Sequence, residues 1–106
     1  MKPIQLNEEN FEKEVLNSEI PVIIDFFADW CMPCKMMAPV FENLSQQYKG
    51  KLKFAKVNTD EHQGIAAEFG IQGIPALVIM SKNKEIGRIV GFASESVLKN
   101  KIDQIL

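Results

Sequence analysis

Several residue types and patterns are scarce or missing in this 106-residue chain, and each shortage excludes a class of protein. Twelve Lys and Arg residues against 14 Asp and Glu residues give a formal net charge of −2. No basic surplus is therefore available to neutralise phosphates, and we expect no nucleic-acid partner. The apolar run Pro21–Phe27 contains a charged residue and is far shorter than the ~20 residues that cross a bilayer. We therefore expect no membrane insertion.

The amino terminus lacks the stretch of about 7–15 apolar residues found in secretory signals. This predicts a cytoplasmic location, although a mature chain whose signal had been removed would look similar. Repeats, low-complexity tracts and linkers are also missing, so residues 1–106 are predicted to form one domain. A monomer is expected. With 46% hydrophobic and 25% charged residues, the chain can bury a core and remain in water.

The first half of the chain alternates between strand and helix patterns. Ile4–Leu6 is predicted to be a short edge strand, and Asn7 to cap a helix that buries Phe11 and Val15. The almost continuous apolar run Pro21–Ala28 is typical of a strand covered on both faces. A longer helix is predicted from Cys31 to about Tyr48, with Pro39 kinking it and with the apolar positions Met37, Val40, Phe41, Leu44 and Tyr48.

The second half contains two further helix patterns and three strand patterns. Lys51–Asn58 is predicted to be a strand with Leu52, Phe54 and Lys56 on one side. A short helix follows, which is predicted to be capped by Asp60, to bury Ile65, Ala66 and Phe69, and to end at Gly70. The strands Ala76–Ser81 and Glu85–Val90 are predicted to be joined by Lys82-Asn83-Lys84. The last helix is predicted to be capped by Ser94 and to carry an apolar stripe of Val97, Leu98, Ile102, Ile105 and Leu106. The order βαβαβαββα predicts a mixed sheet with helices on both faces.

Cys31 and Cys34 are the two cysteines of the chain, and only two residues separate them at the start of the predicted long helix. This spacing brings the sulfurs within bonding distance. Unpaired N–H groups and the helix dipole favour an anion at a helix amino end, so we expect a low thiol pKa at Cys31, helped by the charge of Lys35. Cys34 is predicted to be less exposed and more thiol-like. Cys31 is thus predicted to attack a disulfide, and Cys34 to resolve the mixed disulfide.

Two structural interpretations of the cysteine pair remain open. The pair could form a structural disulfide, or it could be half of a zinc site, for which His62 is the one other ligand of the usual nitrogen and sulfur set. His62 follows two acidic residues in a polar stretch, where a solvated side chain is expected. A close pair in a reducing compartment serves chemistry more readily than structure.

Four parts of the chain carry a resemblance to a known family: Trp30–Lys35, the preceding Asp25–Asp29, the kinking Pro39 and Gly73–Pro75. Through them the chain resembles the thioredoxin family over nearly its whole length. The resemblance implies an α/β thioredoxin fold with a mixed five-stranded sheet flanked by four helices. It also implies a thiol-disulfide oxidoreductase that reduces disulfide-containing target proteins. Such a protein needs no cofactor beyond its own Cys31–Cys34 disulfide, and a thioredoxin reductase-type donor supplies the electrons.

Asp25 and Lys56 are polar residues in predicted apolar surroundings. Burial should raise the pKa of Asp25, which makes it a candidate to exchange a proton with Cys34, and the resemblance supports this role. The alternative is a structural Asp that is hydrogen-bonded at a strand end. The resemblance also implies that Lys56 lies near the buried acid, whereas the alternative is that Lys56 extends to solvent.

The resemblance further implies a cis peptide bond before Pro75, beside the cysteine sulfurs. A cis bond would turn the Ile74 backbone outward, where it could pair with an extended substrate segment. An apolar rim that binds substrate would then surround Cys31, formed by Trp30, Met32, Pro33, Gly73, Ile74, Gly91 and Phe92. Each of these residues could instead serve packing or turn formation.

Three positions depart from the commonest family pattern. Met32 replaces a usual Gly, Phe27 a frequent Trp and Ala76 a frequent Thr. Because residues between the cysteines influence the stability of the disulfide, the resemblance does not carry over a reduction potential. Two other function classes remain open, a disulfide oxidase or isomerase on the same fold and a protein-binding module that uses the rim.

Overall fold

The centre of the molecule is β2 (Val22–Phe27), whose apolar residues are buried on both faces of a five-stranded sheet. The structure is a computed structural model that describes residues 2–106, so Met1 of the domain expected over residues 1–106 lies outside the described residues. The other strands are β1 (Ile4–Gln5), β3 (Lys53–Asn58), β4 (Ala76–Ser81) and β5 (Lys84–Val90), and the order across the sheet is β1-β3-β2-β4-β5. β1, β3 and β2 are parallel, whereas β4 and β5 are antiparallel to their neighbours. The predicted mixed sheet is confirmed.

Three α-helices follow β2, β3 and β5: α1 (Met32–Gln47), α2 (Gln63–Glu68) and α3 (Glu95–Ile105). Pro39 lies inside α1 as predicted, while a kink there stays a prediction. α1 begins at Met32 because Pro33 and Cys34 fill its first turn while Cys31 precedes it in an extended conformation. The apolar residues of α1 at helical spacing place Met37, Phe41 and Leu44 in the core.

The first predicted helix is only partly confirmed. Asn7 does act as a cap, because its Oδ1 accepts the N–H groups of Glu9 (2.8 Å) and Asn10 (2.9 Å). The Asn10 side chain, however, binds back to the N–H of Asn7 and to the carbonyl of Gln5, which holds residues 8–10 in a turn rather than in an α-helix. The helical residues that follow, Glu12–Leu16, form a π-helix that buries Val15.

The sheet separates two apolar clusters. One face of the sheet packs under α1 and α3, through Ile23, Phe54, Leu77, Ile79, Ile89, Met37, Phe41, Leu44, Leu98 and Ile102. The other face packs against the π-helix and α2, through Val22, Ile24, Phe26, Val57, Val78, Val15, Ile65 and Ala66. We call these the α1 cluster and the α2 cluster. Since successive strand residues point to opposite faces, Ile23 and Ile24 belong to different clusters.

Two predictions about α3 are confirmed only in part. Val97 and Leu106 are exposed rather than part of the buried stripe of α3. Val97 is one position before the buried Leu98 and therefore points to another side of the helix, and Leu106 follows Ile105, the last residue of α3. Ser94 precedes α3 as predicted, but its side chain makes no capping hydrogen bond.

Asp60 does not cap α2, since that helix begins only after His62. Asn58 Oδ1 instead accepts the N–H groups of Asp60 (3.0 Å) and Glu61 (3.3 Å) in an intervening turn. Ile65 and Ala66 are buried as predicted, Phe69 is half-buried, and Gly70 ends the helix at a φ of +63°.

The hairpin is confirmed with a tighter connection than predicted. β5 begins at Lys84, so only Lys82 (φ 52°) and Asn83 (φ 66°) join the strands, both in the left-handed conformation of a type I′ turn. The predicted three-residue connection is therefore one residue too long. An irregularity in the β4–β5 register follows at Ile79 and Met80.

The topology brings several chain segments to one edge of the sheet. β2 and β3 end there and β4 begins there, and the amino end of α1 lies directly after β2. Side chains that follow β2 and β3 therefore meet those that precede β4. Within residues 2–106, no helix has the length and apolar character needed to cross a membrane.

Candidate active site

Cys31 and Cys34 form a disulfide at the amino end of α1, with their Cα atoms 5.2 Å apart. Cys31 is the capping residue, and its Sγ accepts a hydrogen bond from the backbone N–H of Cys34 at 3.3 Å. The Cys31 carbonyl accepts the N–H of Lys35 at 3.1 Å, which closes the first turn. The predicted bonding distance and helix-end position are therefore present in the structure.

The two cysteines are almost equally buried in this disulfide-bonded form. Cys31 is 4% exposed and Cys34 is 3% exposed, so the expected difference in accessibility is small. Both sulfur-containing side chains pack against Ala28, with Phe27 and Ile74 beside them. What distinguishes the cysteines is position, because Cys31 precedes α1 and Cys34 lies within its first turn.

Asp25 is fully buried in the middle of β2, on the sheet face that α1 covers. Neither of its carboxyl oxygens has a hydrogen-bond partner among residues 2–106. Burial raises the pKa of Asp25 from 3.8 to about 6, and the positive charge of Lys56 partly opposes this rise. The alternative of a structural, hydrogen-bonded Asp does not fit this environment.

Lys56 lies next to Asp25 across the β2–β3 pairing, in the neighbourhood that the sequence suggested. It makes no ion pair with Asp25 in the described part of the chain. Its Nζ instead lies 4.5 Å from the centre of the Phe27 ring, in a cation–π contact. The half-buried lysine thus acts on Asp25 through its charge and keeps its ammonium group on an aromatic face.

The segment before β4 reaches the disulfide from the other side. The Ile74–Pro75 peptide bond is cis, as the resemblance implied. The Ile74 carbonyl oxygen lies 3.8 Å from Cys31 Sγ. A disulfide sulfur carries no proton, so this is a contact and not a hydrogen bond. Gly91, with a φ of +92°, donates its N–H to the Pro75 carbonyl at 2.8 Å and holds the two loops together.

The remaining predicted rim residues differ in exposure. Trp30, Met32 and Phe92 are large apolar side chains that are open to solvent, Pro33 and Gly73 are also exposed, and Ile74 and Gly91 are half-buried. Single exposed apolar residues are ordinary, but several around one disulfide are typical of a contact surface.

Sequence reasoning missed the role of Asp60 at this surface. Its Oδ2 accepts the indole N–H of Trp30 at 3.0 Å, which fixes the orientation of a highly exposed ring. A signal was available, because Trp30 and Asp60 each lie a few residues beyond the ends of the parallel strands β2 and β3. Such ends meet at the same edge of a sheet.

A cavity of about 330 Å³ lies behind the disulfide, between the first turn of α1 and the ends of β2 and β3. Its lining includes Cys34, Lys35, Ala38, Phe27 and Lys56. A larger cavity of about 420 Å³ lies near the carboxyl end of α1 and contains no predicted site residue. The smaller cavity is therefore the one that bears on the sulfur chemistry.

The described residues contain no group of three or more His, Cys, Asp and Glu side chains that could hold a metal ion. His62 is engaged elsewhere, since its Nδ1 lies 2.8 Å from Glu8 Oε1. The interpretation of the cysteines as half of a zinc site therefore finds no third ligand within residues 2–106.

Comparison with known proteins agrees with this arrangement. The thioredoxin family model matches residues 2–104. Thioredoxin 1 of Nostoc sp. is 41% identical over 102 residues, which is 96% of this chain and 95% of that protein. Thioredoxin of Haemophilus influenzae is 40% identical over 101 residues, which is 95% of this chain and 94% of that protein. Thioredoxin of Porphyra purpurea is 35% identical over 106 residues, which is 100% of this chain and 99% of that protein. The fold, the disulfide at the start of α1 and these matches identify the chain as a member of the thioredoxin family.

Proposed function

We propose that this chain reduces disulfides in other proteins, with Cys31 as the attacking nucleophile and Cys34 as the resolving thiol. The observation that carries the proposal is the place of Cys31 Sγ at the amino end of α1, where it accepts the N–H of Cys34 at 3.3 Å. A thiolate at this place is stabilised by that donor and by the helix dipole. Family membership supports thiol-disulfide oxidoreductase activity in general.

The reaction has two exchange steps. The Cys31 thiolate attacks one sulfur of the target disulfide, whose S–S bond breaks, and the other target sulfur leaves and takes up a proton. Cys34 then gives its proton to Asp25 and attacks the Cys31 sulfur. The Cys31–Cys34 bond forms, the mixed disulfide breaks, and the first target sulfur leaves as a thiolate that takes up a proton. Two electrons pass to the target, and the chain is left with the Cys31–Cys34 disulfide.

Asp25 is the proton acceptor in this scheme, and Lys56 is a positioning residue that acts through it. A carboxyl group with a pKa of about 6 is largely ionised at neutral pH yet basic enough to take a proton from a thiol. The charge of Lys56 favours the ionised form that the first proton transfer requires.

The target is held by the rim around the disulfide. Trp30, Met32 and Phe92 offer exposed apolar area. The backbone of Ile74, which precedes the cis bond beside Cys31, is the part of the rim that we expect to pair with an extended target segment. Gly73, Pro75 and Gly91 lie in the loops beside these side chains, and Pro33 lies in the first turn of α1. We further propose a monomer in the cytoplasm that receives electrons from a thioredoxin reductase-type protein.

Single cysteine variants test the assigned roles. With dithiothreitol as electron donor and insulin as target, we expect Cys31→Ser to show no reduction above background. Cys34→Ser should accumulate a mixed disulfide with the target, visible as a mass increase that dithiothreitol removes, because the resolving thiol is missing. Full turnover by Cys34→Ser would contradict the assignment.

A measured reduction potential separates the reductase from an oxidase or isomerase, and partner binding by a double cysteine variant separates it from a binding module. A reductase should equilibrate at a strongly reducing potential, whereas an oxidase or isomerase should be more oxidising. A binding module would hold its partner equally well in the Cys31→Ser/Cys34→Ser double variant. A strongly oxidising potential, or partner binding that does not need the cysteines, would displace the reductase proposal.

A further inference from the structure

The four methionines of residues 2–106 differ sharply in side-chain exposure. Met37 is fully buried and Met80 is 8% exposed, so both are parts of the apolar clusters. Met32 is 64% exposed and Met36 is 54% exposed, and both lie in the first two turns of α1. Two of the four described methionine residues are therefore open to oxidants in solution.

Met32 lies between the two cysteines, so its oxidation would alter the surface that surrounds the disulfide. In the disulfide-bonded form neither Cys31 nor Cys34 has a thiolate, and both are almost completely buried. The most exposed sulfur-containing residue at the redox centre is then Met32. Methionine is also flexible and polarisable, which suits it to contact varied apolar partners.

We propose that Met32 is a methionine oxidation site whose modification weakens the binding of protein targets, an inference that rests on the proposed reductase function. Hydrogen peroxide transfers one oxygen atom to the thioether sulfur, its O–O bond breaks, and water leaves. The sulfur loses two electrons and becomes a sulfoxide, while the peroxide is reduced. The modification converts an apolar side chain of the rim into a polar one.

The effect of Met32 oxidation on the rate of disulfide reduction depends on the size of the disulfide substrate. A protein target covers the rim when it reaches Cys31, so it must desolvate the sulfoxide oxygen beside Trp30. A small disulfide needs only the Cys31 sulfur and covers little of the rim. Oxidation of Met32 therefore slows the reduction of proteins more than that of small disulfides.

Met36 provides a matched control. It is four residues further along α1 and about equally exposed, but it lies outside the cysteine ring and outside the rim. The test treats the disulfide-bonded wild type, Met32→Leu and Met36→Leu with dilute hydrogen peroxide and then removes the oxidant. Peptide mass mapping locates each added oxygen. Rates with insulin and with a small aromatic disulfide are each divided by the rate of the same variant before treatment.

We expect Met32 and Met36 to gain oxygen well before Met37 and Met80. The insulin rate of treated wild type and treated Met36→Leu should fall about three- to tenfold, the range expected for one weakened apolar contact. Treated Met32→Leu should keep its own untreated rate, and all three should keep theirs with the small disulfide. A methionine sulfoxide reductase supplied with dithiothreitol should restore the lost insulin rate.

Two results would overturn the inference: oxidation of Met32 no faster than that of Met37, or an equal loss of insulin rate in treated Met32→Leu. Failure of the proposed function is recognised separately, because the untreated wild type would then reduce neither insulin nor the small disulfide. The mass map would still decide whether Met32 is the oxidation site.

Discussion

Asp25 presents an unusual situation for a single residue, a carboxyl group in the middle of a central strand without a hydrogen-bond partner among the described residues. Its neighbours across the strands are Lys56 and Leu77. An ionised carboxylate is poorly solvated there, so the folded protein favours the protonated form. The same property that suits Asp25 to proton transfer therefore reduces the stability of the fold at neutral pH.

We predict that replacing Asp25 by Asn stabilises the disulfide-bonded protein at pH 7 but not at pH 4. The pKa in the folded state is about 6 against an ordinary 3.8, so between these pH values the folded protein binds more protons than the unfolded one. Stability then falls as the pH rises through this window, by about 3 kcal/mol in all. Urea unfolding at both pH values measures the free energy of unfolding of each protein.

Asp29→Asn is the matched control, because it removes one carboxylate from an exposed position. It should keep the pH dependence of the wild type. An Asp25→Asn variant that gains the same free energy at pH 4 and pH 7, or gains none at pH 7, would contradict the raised pKa.

In the reductase assay, the Asp25→Asn variant should also resolve mixed disulfides more slowly than the wild type at neutral pH. An unchanged rate and pH profile would remove Asp25 from the mechanism.

At the scale of elements, the contact between α3 and β5 depends on the absence of one side chain. A Cβ atom at Gly87 would lie 2.6 Å from Cδ1 of Ile105, with two further Ile105 carbons at 2.8 Å. Ile105 is partly buried and packs on the α1 cluster. The glycine therefore lets the last turn of α3 approach the backbone of β5 closely.

Gly87→Ala should destabilise the protein by about 1–3 kcal/mol, because the whole Ile105 side chain must move. Gly64→Ala, in α2 with no atom near the added Cβ and no positive φ, should instead stabilise it by up to about 1 kcal/mol. Denaturant midpoints measure both effects. In an Ile105→Ala background the Gly87→Ala change should cost much less, and an equal cost in both backgrounds would disprove the close contact.

The elements with strong periodicity could be predicted from the sequence, whereas those decided by local polar contacts could not. The apolar run of β2 and the helical spacing of Met37, Phe41 and Leu44 reflect burial against many partners, which no single hydrogen bond can override. α2 does not begin at Asp60 because Asn58 Oδ1 accepts the N–H groups of Asp60 and Glu61 and holds them in a turn before the helix. The turn before the π-helix depends in the same way on the Asn10 side chain.

The candidate site shows the same division. The cysteine spacing and the helix start place Cys31 and Cys34 from local sequence alone. The positions of Pro75 and Gly91 beside them depend on how β4 and β5 pair with β2, which is a property of the sheet. Sequence patterns within each strand do not report that pairing, so these residues followed only from the resemblance to a family.

At the scale of the whole molecule, the sheet joins the α1 cluster and the α2 cluster into one structure. Ile23 and Ile24 are adjacent in β2, fully buried, and point into different clusters. Loss of either cluster would expose one face of the same strand. We therefore expect residues 1–106 to unfold as a single cooperative unit.

Ile23→Val and Ile24→Val test this expectation with the same small deletion on opposite faces. Each should lower the free energy of unfolding by about 0.5–1.5 kcal/mol, the usual cost of one buried methyl group. Each should shift the transitions seen by Trp30 fluorescence and by far-ultraviolet circular dichroism together, without changing the denaturant dependence. Separate transitions for the two probes in either variant would show that the clusters unfold independently.

The two-residue connection between β4 and β5 lies at the end of β4 that is remote from the Cys31–Cys34 disulfide. β4 starts beside Pro75 and runs six residues to Ser81, a length of about 20 Å. Lys82 and Asn83 at its far end are exposed. A foreign peptide inserted between them would protrude into solvent well away from Cys31. This fold could therefore carry a binding loop or a tether at the Lys82–Asn83 turn while it exchanges electrons at the disulfide.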